Sequence, residues 1–173
     1  MLLRGEAMKL RKLTLSAVLA AAALILFTVE AQIPPLTAVP GVKLGLANVV
    51  TVFALFTVGP WWALGISLTR IILGSLITGQ VGAMLYSLSG GLLAWCTGAL
   101  LRRALKGEQT WVLSTLSAMA HNVGQIALAV RITETPALWA YLPVLLISAV
   151  LAGAFTGLGA QLVLKRLQGH LKL

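Results

Sequence analysis

The chain has 173 residues, of which 59% are hydrophobic and 10% are charged, and its formal net charge is +9. Soluble domains carry about 25% charged residues, so this composition excludes an ordinary soluble domain and predicts an all-α integral membrane protein. The positive charge does not indicate a nucleic-acid partner, because it lies in short clusters between apolar segments without a long basic run or a nucleic-acid-binding motif.

The first predicted element is an apolar span at residues 13–33, preceded by the basic segment MLLRGEAMKLRK. Met8 is an alternative start to Met1. A secretory signal peptide is the competing interpretation, but the apolar run exceeds the usual hydrophobic region of about 7–15 residues. We therefore favour a membrane span. Prolines and Gly41 in PPLTAVPGVK, residues 34–43, end this helix and predict a loop.

Five further apolar segments follow, separated by turns that contain glycine, proline or charged residues. They lie at residues 44–58, 61–78, 82–101, 111–130 and 141–164. Six spans of about 20 residues match a hydrocarbon core about 30 Å thick. The second is short, so we expect it to be tilted, broken or sheltered by its neighbours. The sequence thus predicts one domain, residues 1–173, that forms a six-transmembrane-helix bundle.

Most of the basic residues fall on one side of such a bundle. They are Arg4, Lys9, Arg11, Lys12, Arg102, Arg103, Lys106, Lys165, Arg166 and Lys172. By the positive-inside bias, both termini are predicted to be cytoplasmic in a multi-pass plasma-membrane protein. Aromatic side chains typical of membrane interfaces mark the span ends, at Trp61, Trp111, Trp139 and Tyr141.

Several polar residues lie within the predicted spans. An arginine at a helix centre costs about 2.5–3.5 kcal/mol, so we expect Arg70 to face the bundle interior, with a partner or a wet cavity. His121, Asn122 and Gln125 form one polar patch on the fifth span, because residues three or four apart share a helix face. The alternative role for these side chains is helix–helix hydrogen bonding, worth about 0.6–2 kcal/mol each.

Three more polar residues are expected towards the outer face. Lys43 in PGVKLGLANVV either snorkels to the interface or contacts an anionic ligand from a loop folded over an outward cavity. Asn48 lies one turn further inward. Glu30 either binds ligand or forms an ion pair with Lys43 or Arg70. These residues extend the candidate binding site beyond the third and fifth spans.

No catalytic or metal site and no cofactor are predicted. The chain contains no aspartate, and its four glutamates are scattered. Cys96 is the only cysteine, which excludes an intrachain disulfide and argues against a thiolate metal cluster. His121 and His170 are too far apart in the predicted topology to share a metal ion.

Small residues four positions apart allow helices to approach closely. Gly153 and Gly157 have this spacing in the sixth span. Ala17 and Ala21 have it in the first span, where they form a smooth face. That face either docks another protein or packs within the bundle.

Four segments, PGVKLGLANVV, SLSGGLLAW, AHNVGQIALA and YLPVLL, together resemble the Gx transporter family, also called heptaprenyl diphosphate synthase component I. The resemblance extends from about residue 9 to residue 167. The family is similar to the substrate-binding S components of energy-coupling-factor transporters, which implies six helices, an outward-facing cavity and a lid at residues 34–43. S components dock their transmembrane coupling subunit through an alanine-xxx-alanine face on the first helix, and Ala17 and Ala21 match that spacing.

The second family name implies prenyl-chain synthesis. Prenyl synthases of the familiar kind hold magnesium diphosphate with aspartate-rich clusters, because Mg²⁺ prefers hard oxygen ligands. This chain has no aspartate. We therefore do not expect a self-sufficient synthase of that type; in this pathway the chain would be an accessory membrane partner of such an enzyme or a carrier of an isoprenoid or its precursor.

The function predicted is capture of a small, anionic, vitamin- or isoprenoid-like molecule for uptake, by a protein that is not an enzyme. The predicted substrate-binding residues are Glu30, Lys43, Asn48, Arg70, His121, Asn122 and Gln125. The sequence has no P-loop, so energy would come from a coupling subunit with an ATPase module or from an ion gradient. The alternatives are an accessory subunit of heptaprenyl diphosphate synthesis, beside a prenyl synthase, and a structural partner in a membrane redox assembly.

Overall fold

The computed structural model describes residues 2–33, 45–105 and 109–167, with side chains from Glu6 onward. These ranges are helical and contain no strand, which confirms the all-α prediction. The elements are α1 (Leu2–Ala31), α2 (Leu46–Thr57), α3 (Pro60–Ile77), α4 (Val81–Ala104), α5 (Thr110–Thr133), a short 3-10 helix (Pro136–Tyr141) and α6 (Leu142–Leu167). Each predicted span contains one helix. The main difference is that α1 also includes the basic N-terminal segment.

Four helical segments are long and apolar enough to cross a membrane: Glu6–Ala31, Pro60–Ile77, Val81–Ala104 and Pro136–Leu167. With 24 residues, α5 is about 36 Å long at roughly 1.5 Å per residue, but polar side chains lower its hydropathy. With 12 residues, α2 is about 18 Å long and does not match a hydrocarbon core about 30 Å thick. The multi-pass membrane character is thereby confirmed. The prediction of six crossings additionally requires that α2 and α5 cross the membrane.

The short helix α2 lies at the centre of the bundle, where it packs against each of the other five α-helices. Half of its 12 residues are buried, namely Ala47, Val50, Val52, Phe53, Ala54 and Leu55. The surrounding core includes Ala23 of α1, Ile66 of α3, Leu113 of α5 and Ala160 of α6. A helix enclosed by protein does not need to reach both lipid interfaces. This enclosure is the physical reason why the second apolar segment can be short.

Contacts between α3, α4, α5 and α6 show that consecutive helices run antiparallel, because late residues of one helix meet early residues of the other. The Trp95 indole of α4 donates to the Pro60 carbonyl at the start of α3 at 2.7 Å. Asn122 in the middle of α5 donates to the Leu145 carbonyl near the start of α6 at 2.7 Å. Gly157 in the second half of α6 lies against Trp111 at the start of α5. The same holds between α4 and α5, where the Ser89 hydroxyl donates to the Gly124 carbonyl at 2.9 Å.

The basic ends of α1, α4 and α6 lie at the same end of the bundle. Because α4 and α6 both run antiparallel to α5, Arg102 and Lys165 end on one side. The late residue Phe27 of α1 lies against the late residue Gly74 of α3, so α1 runs parallel to α3 and its basic N-terminal part lies on that same side. We call this side the basic end and the opposite side the far end.

A pair of glycines brings α6 unusually close to α5. A Cβ atom on Gly153 would lie 2.6 Å from the Thr115 Cα atom, and one on Gly157 would lie 2.5 Å from the Trp111 Cα atom. Real Cβ atoms do not approach backbone atoms so closely, so only glycine fits at these positions. The close approach predicted from the Gly-xxx-Gly spacing is confirmed.

Gly157→Ala is expected to destabilise the bundle by about 1–3 kcal/mol, as overpacking of a filled interior typically does. The new methyl group would meet the Trp111 backbone, which moves only if α5 moves. The matched control is Gly159→Ala, whose added Cβ would have its nearest neighbour, a Val49 methyl carbon, at 3.9 Å. Thermal unfolding of both variants in the same detergent measures the difference. Equal melting temperatures would contradict the close crossing.

Candidate functional site

A cavity of about 570 Å³ lies among the helices in the half of the bundle towards the far end. Its wall is built from the last turns of α1, the first turns of α2 and α4, the middle of α3, residues 118–129 of α5, the 3-10 helix and residues 145–156 of α6. Exposed residues in the wall, including Gln80, Ala83 and Tyr141, mark its mouth. Small-molecule sites typically have volumes of about 300–1,000 Å³, and this cavity falls within that range.

Six of the seven predicted site residues line this one cavity. They are Glu30, Asn48, Arg70, His121, Asn122 and Gln125. The seventh, Lys43, lies outside the described residues. The fold thus brings together side chains from α1, α2, α3 and α5, and their role in binding a ligand stays a prediction.

Arg70 carries a positive charge into the cavity wall and is only 8% exposed. Its Cζ atom lies 5.6 Å from the centroid of the Phe27 ring, a distance at which an arginine and an aromatic face attract each other. Glu30 is close enough to interact electrostatically with the guanidinium. The Nε atom is buried and makes no hydrogen bond to any described residue. One donor of this buried cation is therefore unpaired among the described residues.

Glu30 ties the end of α1 to the start of α2. Its two carboxylate oxygens accept hydrogen bonds from the Gly45 and Leu46 backbone N–H groups, at 2.6 and 2.9 Å. The first N–H groups of a helix have no partner within it, and a negative charge there is also favoured by the helix dipole. Sequence reasoning missed this capping role. The sequence signal for this role is that α2 begins after Gly45, without a Ser, Thr, Asp or Asn to cap it, so that its first N–H groups need an acceptor from elsewhere.

Glu30→Ala is expected to destabilise the protein by about 1–2 kcal/mol, since both α2 N–H groups lose their acceptor. Glu30→Gln keeps one acceptor oxygen and should lose less. The control is Glu6→Ala, which removes an exposed glutamate from α1. Thermal unfolding ranks the three variants, and a Glu30→Ala melting temperature equal to that of Glu6→Ala would refute the cap.

Asn122 is both a cavity residue and a link between helices. It is 9% exposed, and its amide nitrogen donates to the Leu145 carbonyl of α6 at 2.7 Å. The Ser148 hydroxyl donates to the same carbonyl at 2.8 Å. The helix-linking role considered for this side chain is therefore real, and it holds Asn122 in a fixed position in the wall.

His121 and Gln125 lie where α5 crosses α4. A Cβ atom on Gly90 of α4 would lie 2.6 Å from the His121 carbonyl oxygen and 2.8 Å from Gln125 Cγ. The absence of a side chain at Gly90 therefore lets both residues occupy the space beside the cavity. The motifs SLSGGLLAW and AHNVGQIALA thus meet at this crossing.

Sequence reasoning did not find much of the wall. The missed polar residues include Gln80, Ser87, Tyr86, Tyr141, Ser148 and Thr156. A signal exists in helical spacing, because Leu145, Ala149, Ala152 and Thr156 repeat every three or four positions and so share one face of α6. These residues are individually ordinary, and only packing shows that this face borders a space.

Ala17 and Ala21 are both exposed on the outer surface of α1. The neighbouring Val18 and Ile25 are also exposed, at 61% and 63%. This face of α1 is therefore available to lipid or to another protein, and packing inside the bundle is not its role. Docking of a coupling subunit there stays a prediction.

The sequence model of the heptaprenyl diphosphate synthase component I family matches residues 19–163. The chain belongs to this family. No characterised protein and no solved structure has significant similarity to it. The part matched by the component I family extends from the middle of α1 to the last turns of α6 and contains every residue that lines the cavity.

The component I chain was not expected to bind a metal ion. Within residues 2–33, 45–105 and 109–167, no three His, Cys, Asp or Glu side chains are grouped as metal ligands would be. The cavity wall offers hydrogen bonding, apolar contact, the Arg70 charge and the Glu30 carboxylate, whose oxygens accept from the start of α2.

Proposed function

We propose that this chain captures a small anionic molecule at the outer face of the plasma membrane for uptake, in the manner of an energy-coupling-factor S component. The observation that carries the proposal is a cavity of about 570 Å³ with the buried Arg70 in its wall. The cavity lies towards the far end of the bundle, and the positive-inside bias assigns that end to the outside.

The proposal includes six membrane crossings, with both termini in the cytoplasm. Its support is the alternation of helix direction and the shared basic end of α1, α4 and α6. The enclosed position of α2 accounts for its small length, and the polar residues of α5 face a cavity instead of lipid. Both helices therefore cross within a bundle whose outer surface is apolar.

The chemistry of the wall favours an amphipathic ligand. Alanine and leucine side chains and the Phe27 ring supply apolar surface, while Asn48, His121 and Gln125 supply hydrogen-bonding groups. At roughly 30 Å³ for each water-sized group, about 570 Å³ holds about 20 such groups. A vitamin-like molecule or a short isoprenoid fits this volume, whereas a complete heptaprenyl chain is larger.

Energy for uptake would come from a partner. The sequence has no P-loop, and the exposed face of Ala17 and Ala21 on α1 supplies a surface on which a coupling subunit with an ATPase module could pack. Substitution of both alanines by leucine tests that surface. We expect loss of the coupled complex without loss of ligand.

The experiment that tests the proposed function is mass spectrometry of small molecules extracted from protein purified in lipid nanodiscs. We expect close to one anionic molecule per chain, and cells that express the chain with its coupling subunit should take that molecule up. A chain that contains no small molecule and produces no uptake would refute the proposal.

The second candidate is an accessory membrane subunit of heptaprenyl diphosphate synthesis, and the family name favours it. The chain contains no aspartate, so in this role a partner subunit would bind the magnesium diphosphate and perform the chemistry. Affinity purification from the native membrane separates the two candidates. The second candidate would be favoured if a prenyl synthase is recovered with this chain and if the length of its product changes when this chain is absent.

A further inference from the structure

A second, smaller space adjoins the cavity on the side of the basic end. It has a volume of about 30 Å³ and is lined by residues of α2, α3, α4 and α5. We call it the chamber. Asn48, Arg70, Ala118 and His121 line both the cavity and the chamber, so the two spaces meet at these residues. Because 30 Å³ is close to the volume of one water molecule in the liquid, the chamber admits one small ion or the end of a larger group.

Three polar atoms in the chamber wall are buried and make no hydrogen bond within the described part of the chain. They are Thr51 Oγ1, Arg70 Nε and Ser117 Oγ. Arg70 and Ser117 are each only 8% exposed. Native proteins rarely leave buried polar atoms without a partner. Three such atoms around one space indicate a shared hydrogen-bonding guest.

The Thr51 hydroxyl departs from a pattern that other threonines of this protein follow. Seven threonines donate to the backbone carbonyl four residues earlier, and one of them, Thr57, is on the same helix. The Thr51 hydroxyl has no such bond among the described residues. Thr69 and Thr97 also lack this bond, but among the described threonines only the Thr51 oxygen is buried without a hydrogen-bond partner, and this burial points to a guest in the chamber.

The donors around the chamber select an anion. The Arg70 Nε–H group can only donate, and the two hydroxyl groups can rotate to donate. No acidic side chain is among the described residues that line the chamber, and the Glu30 carboxylate of the adjoining cavity is held by the start of α2. Donors that converge beside one guanidinium favour an acceptor with a single negative charge.

We propose that the chamber is a subsite for one singly charged anionic group, held by Arg70, Thr51 and Ser117. This rests on the proposed function, because the ligand of the cavity then binds with its acid group inward. Its apolar part lies towards Leu138 and Tyr141 near the mouth. The substrate class is an amphipathic monoacid. A diphosphate is excluded, because it carries several negative charges and the chamber offers only one arginine to balance them.

Iodide is the probe for this subsite, because Trp95 lines the chamber and bound iodide quenches indole fluorescence. Protein freed of small molecules is titrated with iodide in nanodiscs. The quenching due to Trp95 is obtained by subtracting the quenching of the Trp95→Phe variant from that of the unmodified protein. Trp139→Phe is the control for loss of an indole elsewhere. We expect saturable quenching of the Trp95 contribution and at least about tenfold weaker binding in the double variant Thr51→Val with Ser117→Ala.

Two comparisons make the result specific. Thr57→Val removes a hydroxyl that is already bonded to the Phe53 carbonyl, at 3.0 Å, and should bind iodide like the unmodified protein. Formate, the smallest carboxylate, should relieve the quenching by competition, and the neutral formamide should not. Bromide replacing iodide in crystals would place the ion by its anomalous signal, independently of any tryptophan variant.

The outcomes separate this proposal from the proposed function. Absence of saturable quenching, or iodide binding in the double variant Thr51→Val with Ser117→Ala that equals binding in Thr57→Val, would overturn the subsite. Iodide binding that formate does not relieve means a halide site only and overturns the acid-group assignment. None of these measurements involves transport, so their failure alongside intact uptake leaves the proposed function standing. An intact iodide site in a chain without ligand or uptake would overturn the proposed function alone.

Discussion

Arg70→Gln is expected to weaken retention of the native ligand about 10- to 150-fold while the bundle stays folded. Hydrogen bonds to a charged group contribute about 1.5–3 kcal/mol, and each 1.4 kcal/mol corresponds to about a factor of ten in affinity. Arg70 is 8% exposed, so its charge has lost most of its hydration. Glutamine is neutral, so the substitution removes the cost of burying a charge, and for this reason we expect little loss of stability.

The control for Arg70→Gln is Arg131→Gln, which removes an exposed arginine in the last turn of α5. Ligand per chain, quantified by mass spectrometry, and the thermal unfolding temperature are measured for both variants. His121→Ala, in the part of the wall formed by α5, should also reduce ligand retention. If Arg70 and His121 can each be replaced without loss of ligand or uptake, the assignment of this cavity as the binding site is wrong.

Gly90→Leu is expected to be the most damaging single substitution at the crossing of α4 and α5, with a cost of at least about 3 kcal/mol. Even the first added carbon would lie 2.6 Å from the His121 carbonyl oxygen. The facing glycine, Gly124, has slightly more room, because a Cβ there would lie 2.9 Å from a Leu93 methyl carbon and 3.0 Å from the Gly90 Cα atom. Leucine would force the helices apart and break the bond from Ser89 to the Gly124 carbonyl.

The same substitution has a functional consequence, because moving α5 moves His121 and Gln125 in the cavity wall. Gly90→Ala, with one added carbon, should therefore lose ligand even where it still folds. The matched control is Gly82→Leu on the same helix, where an added Cβ has no described atom within 4 Å. Yield in the membrane, thermal unfolding and ligand per chain are compared. A Gly90→Leu protein as stable as Gly82→Leu would refute the close crossing.

Much of the fold was predictable from hydrophobicity and charge. Every predicted span contains a helix, because long apolar segments in lipid satisfy their backbone groups only within a helix or a closed barrel. The close approach at Gly153 and Gly157 was also predictable, since small residues four apart leave one face of a helix open. The extension of α1 to Leu2 was not predicted, because the sequence argument followed apolarity and the first turns of α1 are polar.

The candidate site was predictable where lipid penalises a polar side chain. Arg70, Asn122 and Gln125 were singled out because such groups must face the interior, and the structure places them in one wall. The roles of Glu30 and Thr51 were not predictable. Glu30 meets the N–H groups of residues 15 and 16 positions away, and the space beside Thr51 exists only where four helices meet.

The sequence by itself determined that the chain is a helical membrane protein, which segments form its helices and which polar residues turn away from lipid. These properties follow from transfer free energies, which each segment carries in its own composition. Only the tertiary structure decided that α2 is enclosed by the other helices, that Glu30 caps it, and that a cavity and a chamber meet at Arg70. Those features depend on packing between segments distant in the chain, and no local composition records which faces will meet.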